Sequence, residues 1–267
     1  MAVDVSILRN KGELVFSKLK KIIDFRNVFF GKKCDFSVGT TNKKMRDDWL
    51  ERTLKKIPYG SRILDAGAGE LRYKNLCGHL DYVSQDFAKY DGSGDSSGLQ
   101  TGSWDSTKLD IVSDITAIPE PDKSFDAVMC VEVFEHIPSP TIAFKELVRI
   151  LKLGGKLIIT APFCALTHFS PYFFHTGFSE YFYRYWAEEY GLNILDLQKN
   201  GNYFEYLAQE LRRLPSIGKK YAGKSPEYWE MKAINAILPL LQELSGRDKG
   251  SEELLCYELC FLAEKKN

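Results

Sequence analysis

The sequence lacks features that would tie it to a membrane or to nucleic acid. No segment reaches the roughly 18 consecutive apolar residues of a membrane-spanning helix, and the first ten residues lack the apolar run of a signal peptide. The 36 basic and 36 acidic residues cancel, so no overall positive field attracts nucleic acid or an anionic membrane. The six cysteines form no C-x-x-C pair. We expect a cytoplasmic protein whose Cys130 and Cys164, both in apolar stretches, are buried reduced thiols.

The chain has 267 residues, of which 44% are hydrophobic and 27% charged, enough for one large α/β domain with additions. We assign residues 1–40 to an N-terminal extension, in which 14–30 is a candidate helix that covers either the main domain or the substrate opening. Residues 41–267 form the main domain, with a helical insertion at about 202–250 that contains an amphipathic helix over 233–244.

The stretch Ile-Leu-Asp-Ala-Gly-Ala-Gly-Glu over 63–70 is the centre of the prediction. An apolar strand leads into Asp65, and Gly67 and Gly69 allow a tight turn that can approach a ligand closely. A helix is expected to open at Glu70. A Gly-x-Gly pair alone is a weak signal, and the third glycine of a nicotinamide-binding fingerprint is replaced by Arg72.

Strands and helices alternate after this stretch, which predicts a doubly wound parallel sheet. The strands are expected at 81–86, 109–115, 124–131, 156–162 and 192–197, with a late strand at 254–263 that inserts at an edge. A helix from Pro138 to Leu151 is expected to be closed by Leu153-Gly154-Gly155. The Gly/Ser-rich loop from Asp91 to Lys108 is either a solvated surface connection or a cover for a cofactor.

Taken together, these motifs resemble the class I S-adenosylmethionine-dependent methyltransferases. The motifs are Asp65-Ala66-Gly67-Ala68-Gly69, Asp86, Asp114-Ile115, Phe125-Asp126-Ala127-Val128 and Leu153-Gly154-Gly155. They cover about 61–162 in the order and spacing of that family. The resemblance implies a mostly parallel seven-stranded Rossmann-like sheet with helical additions at both ends of the chain, and S-adenosylmethionine as the cofactor.

The resemblance also implies a role for each matched residue. Asp65, Ala66, Gly67 and Gly69 would receive the amino-acid part of the cofactor, Asp86 the ribose hydroxyls, and Phe87 would lie beside the adenine. Asp114 would bind the adenine amine, with Ile115 supplying backbone and packing, and Cys130 and Val131 would lie near the methionine portion. Independently of the family, a carboxylate at the end of the second strand suits the two hydroxyls of a ribose.

The run Glu132-Val133-Phe134-Glu135-His136 resembles the ubiquinone-biosynthesis O-methyltransferases and also the small-RNA 2′-O-methyltransferases, where such a motif with a later histidine holds a divalent metal. Carboxylates and imidazoles can together bind a divalent ion. The candidate ligands here are Glu132, Glu135, His136 and His168, and Glu135 and His136 also count as catalytic candidates. We nevertheless expect no metal, because Glu135 can pair locally and His136 can line the cleft.

His168 is the preferred general base, because an imidazole titrates near working pH and can accept a proton from an attacking hydroxyl; His175 is a second candidate. Residues 163–190 hold twelve of the 35 aromatic residues. Phe169, Tyr172, Phe173 and Phe174 are assigned to the substrate wall, whereas Tyr181, Tyr185 and Trp186 fall at helical spacing and can be core.

The resulting hypothesis is methyl transfer to a hydroxyl of a small molecule or glycan precursor. The neutral charge argues against a nucleic-acid methyltransferase, although the Glu-x-x-Glu-His resemblance keeps that alternative open. A nicotinamide-dependent oxidoreductase would share the sheet, but Asp65 and Arg72 argue against it. A non-catalytic partner protein that binds the cofactor is the third alternative.

Overall fold

The computed structural model describes residues 36–266, so the candidate helix over 14–30 lies outside the described residues. Two compact units divide the chain. We call Asn42–Gly201 with 252–266 the sheet unit, and 36–41 with Asn202–Ser251 the helical unit. Within 36–266, every helix is too short or too polar to span a bilayer.

The sheet unit contains seven strands in the order β3-β2-β1-β4-β5-β7-β6. Its elements are α1 (Asn42–Leu54), β1 (Arg62–Ala66), β2 (Asp81–Asp86), β3 (Ile111–Val112), β4 (Phe125–Val131), α2 (Pro140–Ile150), β5 (Leu151–Pro162), α3 (Glu180–Glu189), β6 (Leu192–Asn200) and β7 (Glu258–Lys265). The pairings among β1 to β5 are parallel, and β7 is antiparallel to both β5 and β6. The predicted α/β class with a mostly parallel seven-stranded sheet is confirmed.

Both faces of the central strands are buried, which explains why they read as continuous apolar runs. Successive residues alternate between the faces: Leu64 and Val128 pack in a cluster with Phe144 of α2. Ile63 and Met129 pack on the opposite face with α1. Helices α1 and α2 therefore pack on opposite faces of the sheet, close to the loop that follows β1.

Two predictions near the glycine stretch were wrong. Instead of a helix opening at Glu70, the chain forms a turn, with Leu71 in the left-handed region at φ +60°, and then a single 3₁₀ turn at Lys74–Cys77. The third strand is also shorter than expected, since only Ile111 and Val112 pair with β2.

The prediction that Leu153-Gly154-Gly155 closes α2 was also wrong. The helix ends at Ile150, because Leu151 turns into an extended conformation with ψ 136° and pairs with Phe125. Leu153-Gly154-Gly155 therefore lies inside β5, where the pairing with β4 shifts register and Gly154 takes φ +74°. The late strand lies between β5 and β6 rather than at an edge.

Three side chains are more exposed to solvent than the sequence predicted. Cys164 is exposed, whereas Cys130 is buried as predicted. In α3, Tyr181 and Tyr185 are 72% and 61% exposed, so they are not core residues. The buried face of this helix carries Tyr183 and Ala187 instead.

The helical unit contains α4 (Tyr203–Ile217) and α5 (Tyr228–Gly246). The side chain of Asn202 caps α4 by accepting from the first-turn amides of Phe204 and Glu205. A small apolar cluster includes Val38, Ala208, Leu238 and Leu241. The amphipathic helix expected over 233–244 thus forms part of α5.

A buried ion-pair network ties α1 to the sheet. One guanidinium nitrogen of Arg46 lies 2.7 Å from Glu132 Oε2 and 2.6 Å from Glu258 Oε2. The amide of Asn200 donates to the other oxygen of Glu258 at 2.7 Å. These contacts join α1 to the end of β4 and the start of β7.

Replacing Arg46 by Met should lower the free energy of unfolding by about 3–5 kcal/mol at pH 8, because buried carboxylates then lose their partner. Burial, followed by the charge of Glu132, raises the pKa of Glu258 above its ordinary value. A carboxyl with a raised folded-state pKa costs stability that increases with pH above the unfolded-state value.

The loss in Arg46→Met should therefore be smaller at pH 5 than at pH 8, as measured by urea unfolding at both pH values. Arg52→Met, an exposed position on the same helix, should change stability by less than about 1 kcal/mol. Equal losses in the two variants would contradict a buried network.

Candidate functional site

The glycine loop after β1 is fastened to the neighbouring strand. The amides of Gly67 and Ala68 both donate to the carbonyl of Gln85 in β2, at 2.8 and 2.9 Å. Gly67 takes φ +80° and Gly69 φ +51°, backbone conformations that side chains rarely adopt. The sequence therefore uses glycine where the turn needs it.

Two buried acidic residues lie next to this loop, and one of them is hydrogen-bonded to it. Asp86 is 8% exposed and accepts from the amides of Gly69 at 3.0 Å and Ala88 at 2.9 Å. Asp65 is 2% exposed and accepts from the hydroxyl of Tyr82 at 2.7 Å. Burial raises the pKa of Asp65 to about 7.

The second predicted pair of cofactor residues follows the next strand. Val112 of β3 pairs with Asp86, and the amide of Ser113 donates to the Asp86 carbonyl at 3.1 Å. Asp114 therefore follows a neighbouring parallel strand at the same edge of the sheet. Its carboxylate is exposed and accepts from the hydroxyl of Thr116 at 2.7 Å, which lowers the pKa of Asp114.

The remaining cofactor candidates differ in their surroundings. Ala66 is fully buried as the last residue of β1 and Ile115 is 8% exposed. The ring of Phe87 meets that of Tyr172 edge-on at 4.9 Å. Cys130 is 0% exposed within the core, so its side chain offers no open surface to a ligand, whereas Val131 is 8% exposed at the end of β4.

Three of the predicted catalytic and metal candidates come together after β4 and β5. The Nε2 atom of His136 lies 3.6 Å from Glu135 Oε1, and that of His168 lies 3.8 Å from the same oxygen. Glu135 is 0% exposed. Its two carboxylate oxygens and His136 Nε2 are buried without a hydrogen-bond partner among the described residues.

The two imidazoles are oriented by backbone carbonyls. His136 Nδ1 donates to the carbonyl of Tyr172 at 2.6 Å, and His168 Nδ1 donates to that of Leu166 at 2.8 Å. Each neutral ring then presents an unprotonated Nε2 towards Glu135. Burial and the neighbouring His168 lower the pKa of His136 to about 4. Burial and the charge of Glu132 raise the pKa of Glu135 well above its ordinary value.

Glu132, the fourth predicted metal candidate, lies apart from this cluster. Its backbone takes φ +56° directly after β4. Its carboxylate pairs with Arg46 and accepts from the hydroxyl of Thr160 at 2.9 Å. Among the described residues, the group that could hold a metal consists of Glu135, His136 and His168.

The aromatic residues assigned to the substrate wall separate into two kinds. Phe169 stacks on His136, with centroids 5.0 Å apart and planes at 16°, and Phe173 lies 5.0 Å from the His168 ring. Tyr172 contacts Phe87 and supplies the carbonyl that orients His136. Phe174 is 47% exposed, so its ring lies outside this packing, although its amide donates to the Glu135 carbonyl.

Tyr82, Tyr90 and Trp104 were not identified from the sequence as residues of the site. Tyr90 stacks on Phe169 at 4.6 Å, and Trp104 meets both of those rings edge-on at 5.6 and 5.3 Å. A lone tryptophan in an otherwise polar loop was an available signal. His175, the second base candidate, is held through its amide by the Glu135 carbonyl.

Sequence comparison agrees with this arrangement. Residues 64–159 match the family model described as "Methyltransferase domain". A ubiquinone biosynthesis O-methyltransferase of Xanthomonas axonopodis pv. citri is 32% identical over 106 residues, which are 39% of this chain and 44% of the relative. A demethylmenaquinone methyltransferase of Renibacterium salmoninarum is 33% identical over 103 residues, 38% of this chain and 40% of the relative. The chain thus matches less than half the length of either relative.

Solved structures share the fold at low sequence identity. The (4+2)-cyclase SpnF covers 94% of this chain and 95% of its own at a TM-score of 0.52 and 15% identity. A Bacillus halodurans C-125 protein named provisionally as a methyltransferase covers 83% of this chain and 100% of its own, with TM-score 0.50 and 14% identity. Since a protein named as a cyclase also has this fold, the fold alone does not fix the reaction.

Gly67→Ala should destabilise the protein more than Gly60→Ala. Both glycines have positive φ, so each substitution carries the roughly 1–2 kcal/mol cost of the left-handed region. A Cβ at Gly67 would lie 2.4 Å from Val133 Cγ2, whereas nothing lies within 4 Å of one at Gly60. The overpacking should add about 1–3 kcal/mol, measured by urea unfolding. Equal losses would show that the loop is not packed against Val133.

Two independent findings now agree. The strand order places the glycine loop and the two strand-end acids at one edge of the sheet. The family match begins in β1 and ends in β5, so it spans the same elements. Residues 64–159 of this chain therefore match a methyltransferase domain, over the strands that carry the glycine loop and the strand-end acids.

Proposed function

We propose that this protein transfers a methyl group from S-adenosylmethionine to a hydroxyl oxygen of a small aromatic molecule. The observation that carries the proposal is the Glu135–His136–His168 cluster, with its fully buried carboxyl, at the edge of the sheet that carries the glycine loop. A ring path connects the two: Trp104 lies against Gly69 and meets Phe169, which stacks on His136. A proton acceptor close to the glycine loop suits methyl transfer to oxygen.

An aromatic acceptor is supported by the surroundings and by the relatives. The rings of Phe169 and Phe173 lie beside the two histidines, and aromatic faces pack well on planar substrates. Of the relatives reported above, one is named for ubiquinone biosynthesis and the other for demethylmenaquinone. We therefore favour a hydroxyl on a quinol-like ring over a glycan precursor.

The proposed reaction is an in-line displacement. The acceptor oxygen forms a bond to the methyl carbon, while the bond from carbon to the sulfonium sulfur breaks and its electron pair stays on sulfur. The hydroxyl proton passes to Nε2 of His168, which is the nitrogen without a proton in a neutral ring whose Nδ1 donates to the Leu166 carbonyl. The protein mainly aligns the reacting atoms and excludes water.

The same three residues also fit a divalent cation. The buried oxygens of Glu135 and Nε2 of His136 have no other partner in the described part of the chain, and both imidazoles are oriented through Nδ1 as metal ligands usually are. One carboxylate and two imidazoles suit a transition metal better than Mg²⁺. Such an ion, when bound, would lower the pKa of an acceptor hydroxyl.

S-adenosylhomocysteine should bind one to one, as measured by isothermal titration calorimetry. Asp86→Ala should weaken this binding at least about tenfold, the effect of losing about 1.4 kcal/mol of hydrogen bonding to the ribose. Asp81→Ala is the matched control, because Asp81 is exposed at the other end of the same strand. The absence of binding to the wild-type protein, or equal weakening in both variants, would overturn the cofactor assignment.

Mn²⁺ and Zn²⁺ titrations distinguish a metal site from a general base. If the cluster holds a cation, Glu135→Gln and His168→Gln should each weaken binding at least about tenfold, since losing a direct ligand costs no less than disturbing a residue that supports one. His175→Gln should leave the affinity unchanged. Metal binding that is absent, or equal in all variants, would leave His168 as the base and would exclude the metal site.

A further inference from the structure

The Gly/Ser-rich loop between β2 and β3 is bound to the segment that carries His168. We call residues 91–108 the strap. Leu99 and His168 form an isolated parallel bridge. The amide of Leu99 donates to the Thr167 carbonyl and that of Phe169 donates to the Leu99 carbonyl, both at 3.0 Å. The hydroxyl of Ser170 adds a hydrogen bond to Asp95 at 3.0 Å.

The far part of the strap lies on the glycine loop. A Cβ built on Gly69 would come 2.4 Å from Cζ2 of Trp104, so the indole covers the Cα of that glycine directly. The amide of Asp105 donates to the carboxylate of Glu70 at 3.1 Å. The strap is therefore attached at two places, one beside the cofactor loop and one beside the catalytic cluster.

The indole and a cofactor require the same surface. The proposed function places the amino-acid part of S-adenosylmethionine over Gly67 and Gly69, and Trp104 lies against the second of these glycines. Two groups cannot occupy one contact surface at protein packing density. The indole is also only partly buried, so it can move without unpacking the core.

We propose that the cofactor displaces Trp104 from Gly69 and that the strap, through this residue, senses whether the cofactor site is filled. This inference rests on the proposed function. The strap also pairs with His168 through Leu99, so a movement of Trp104 displaces a loop that is hydrogen-bonded to the segment holding the imidazole. Trp104 is thus a positioning residue rather than a catalytic one.

Tryptophan fluorescence tests the displacement. The contribution of Trp104 is the emission of the wild-type protein minus that of Trp104→Phe, recorded with and without saturating S-adenosylhomocysteine. We expect this difference spectrum to shift to longer wavelength when the ligand binds. Acrylamide should also quench the Trp104 emission more strongly, because the indole leaves its ring contacts. Trp229→Phe, in the helical unit, should retain the whole ligand-induced change.

Calorimetry on the same samples tests the proposed function separately from the displacement of Trp104. If the wild-type protein binds S-adenosylhomocysteine one to one but the Trp104 difference spectrum does not change, the displacement is wrong and the proposed function stands. If no binding is detected, the proposed function fails first. Trp104→Phe must retain ligand binding by calorimetry. If it loses binding, Trp104 holds the cofactor in place, and the displacement is equally overturned.

Discussion

A carboxylate that is fully buried without a hydrogen-bond partner is the constraint on which this site depends. Removing a charged group from water costs several kcal/mol unless a partner compensates. Among residues 36–266, the Glu135 carboxyl has no hydrogen-bond partner, and the two imidazoles lie 3.6 and 3.8 Å away. The backbone of Glu135 is fixed in place, because its carbonyl accepts hydrogen bonds from the amides of Phe174 and His175. The fold thus maintains an unfavourable group in one position, as active sites often do.

The sheet explains why this group lies where a cofactor can reach it. The parallel strands β1, β2 and β4 end at one edge, and each is followed by a residue of the site. The segment after β5 returns to the same edge, where Tyr172 orients His136 through a carbonyl 36 residues away in sequence. A crevice at the carboxyl ends of the strands is the general ligand position in open α/β sheets.

Local signals in the sequence were sufficient for the central strands. β1 and β4 are mostly apolar runs, followed by a glycine and an acid respectively, and both faces of these strands are buried, so their pattern needs no long-range information. The glycine loop follows for the same reason, since only glycine readily takes the φ of +80° found at Gly67.

Contacts between distant residues could not be derived in this way. The spacing Glu-x-x-Glu-His suggests that Glu132 and Glu135 act together, yet Arg46, 86 positions before Glu132 in the sequence, pairs with the first of them. Trp104 likewise meets a ring 65 positions later in the chain. Helix propensity around Glu70 was overridden by the turn at Leu71, whose φ of +60° no helix accommodates.

The most direct test of the central claim is a crystal structure of the protein with S-adenosylhomocysteine. We predict that the ribose hydroxyls lie within hydrogen-bond distance of Asp86 and that the sulfur faces the Glu135–His136–His168 cluster. The assignment would be contradicted if the ligand occupied another surface, or if it bound with its sulfur directed away from those three residues.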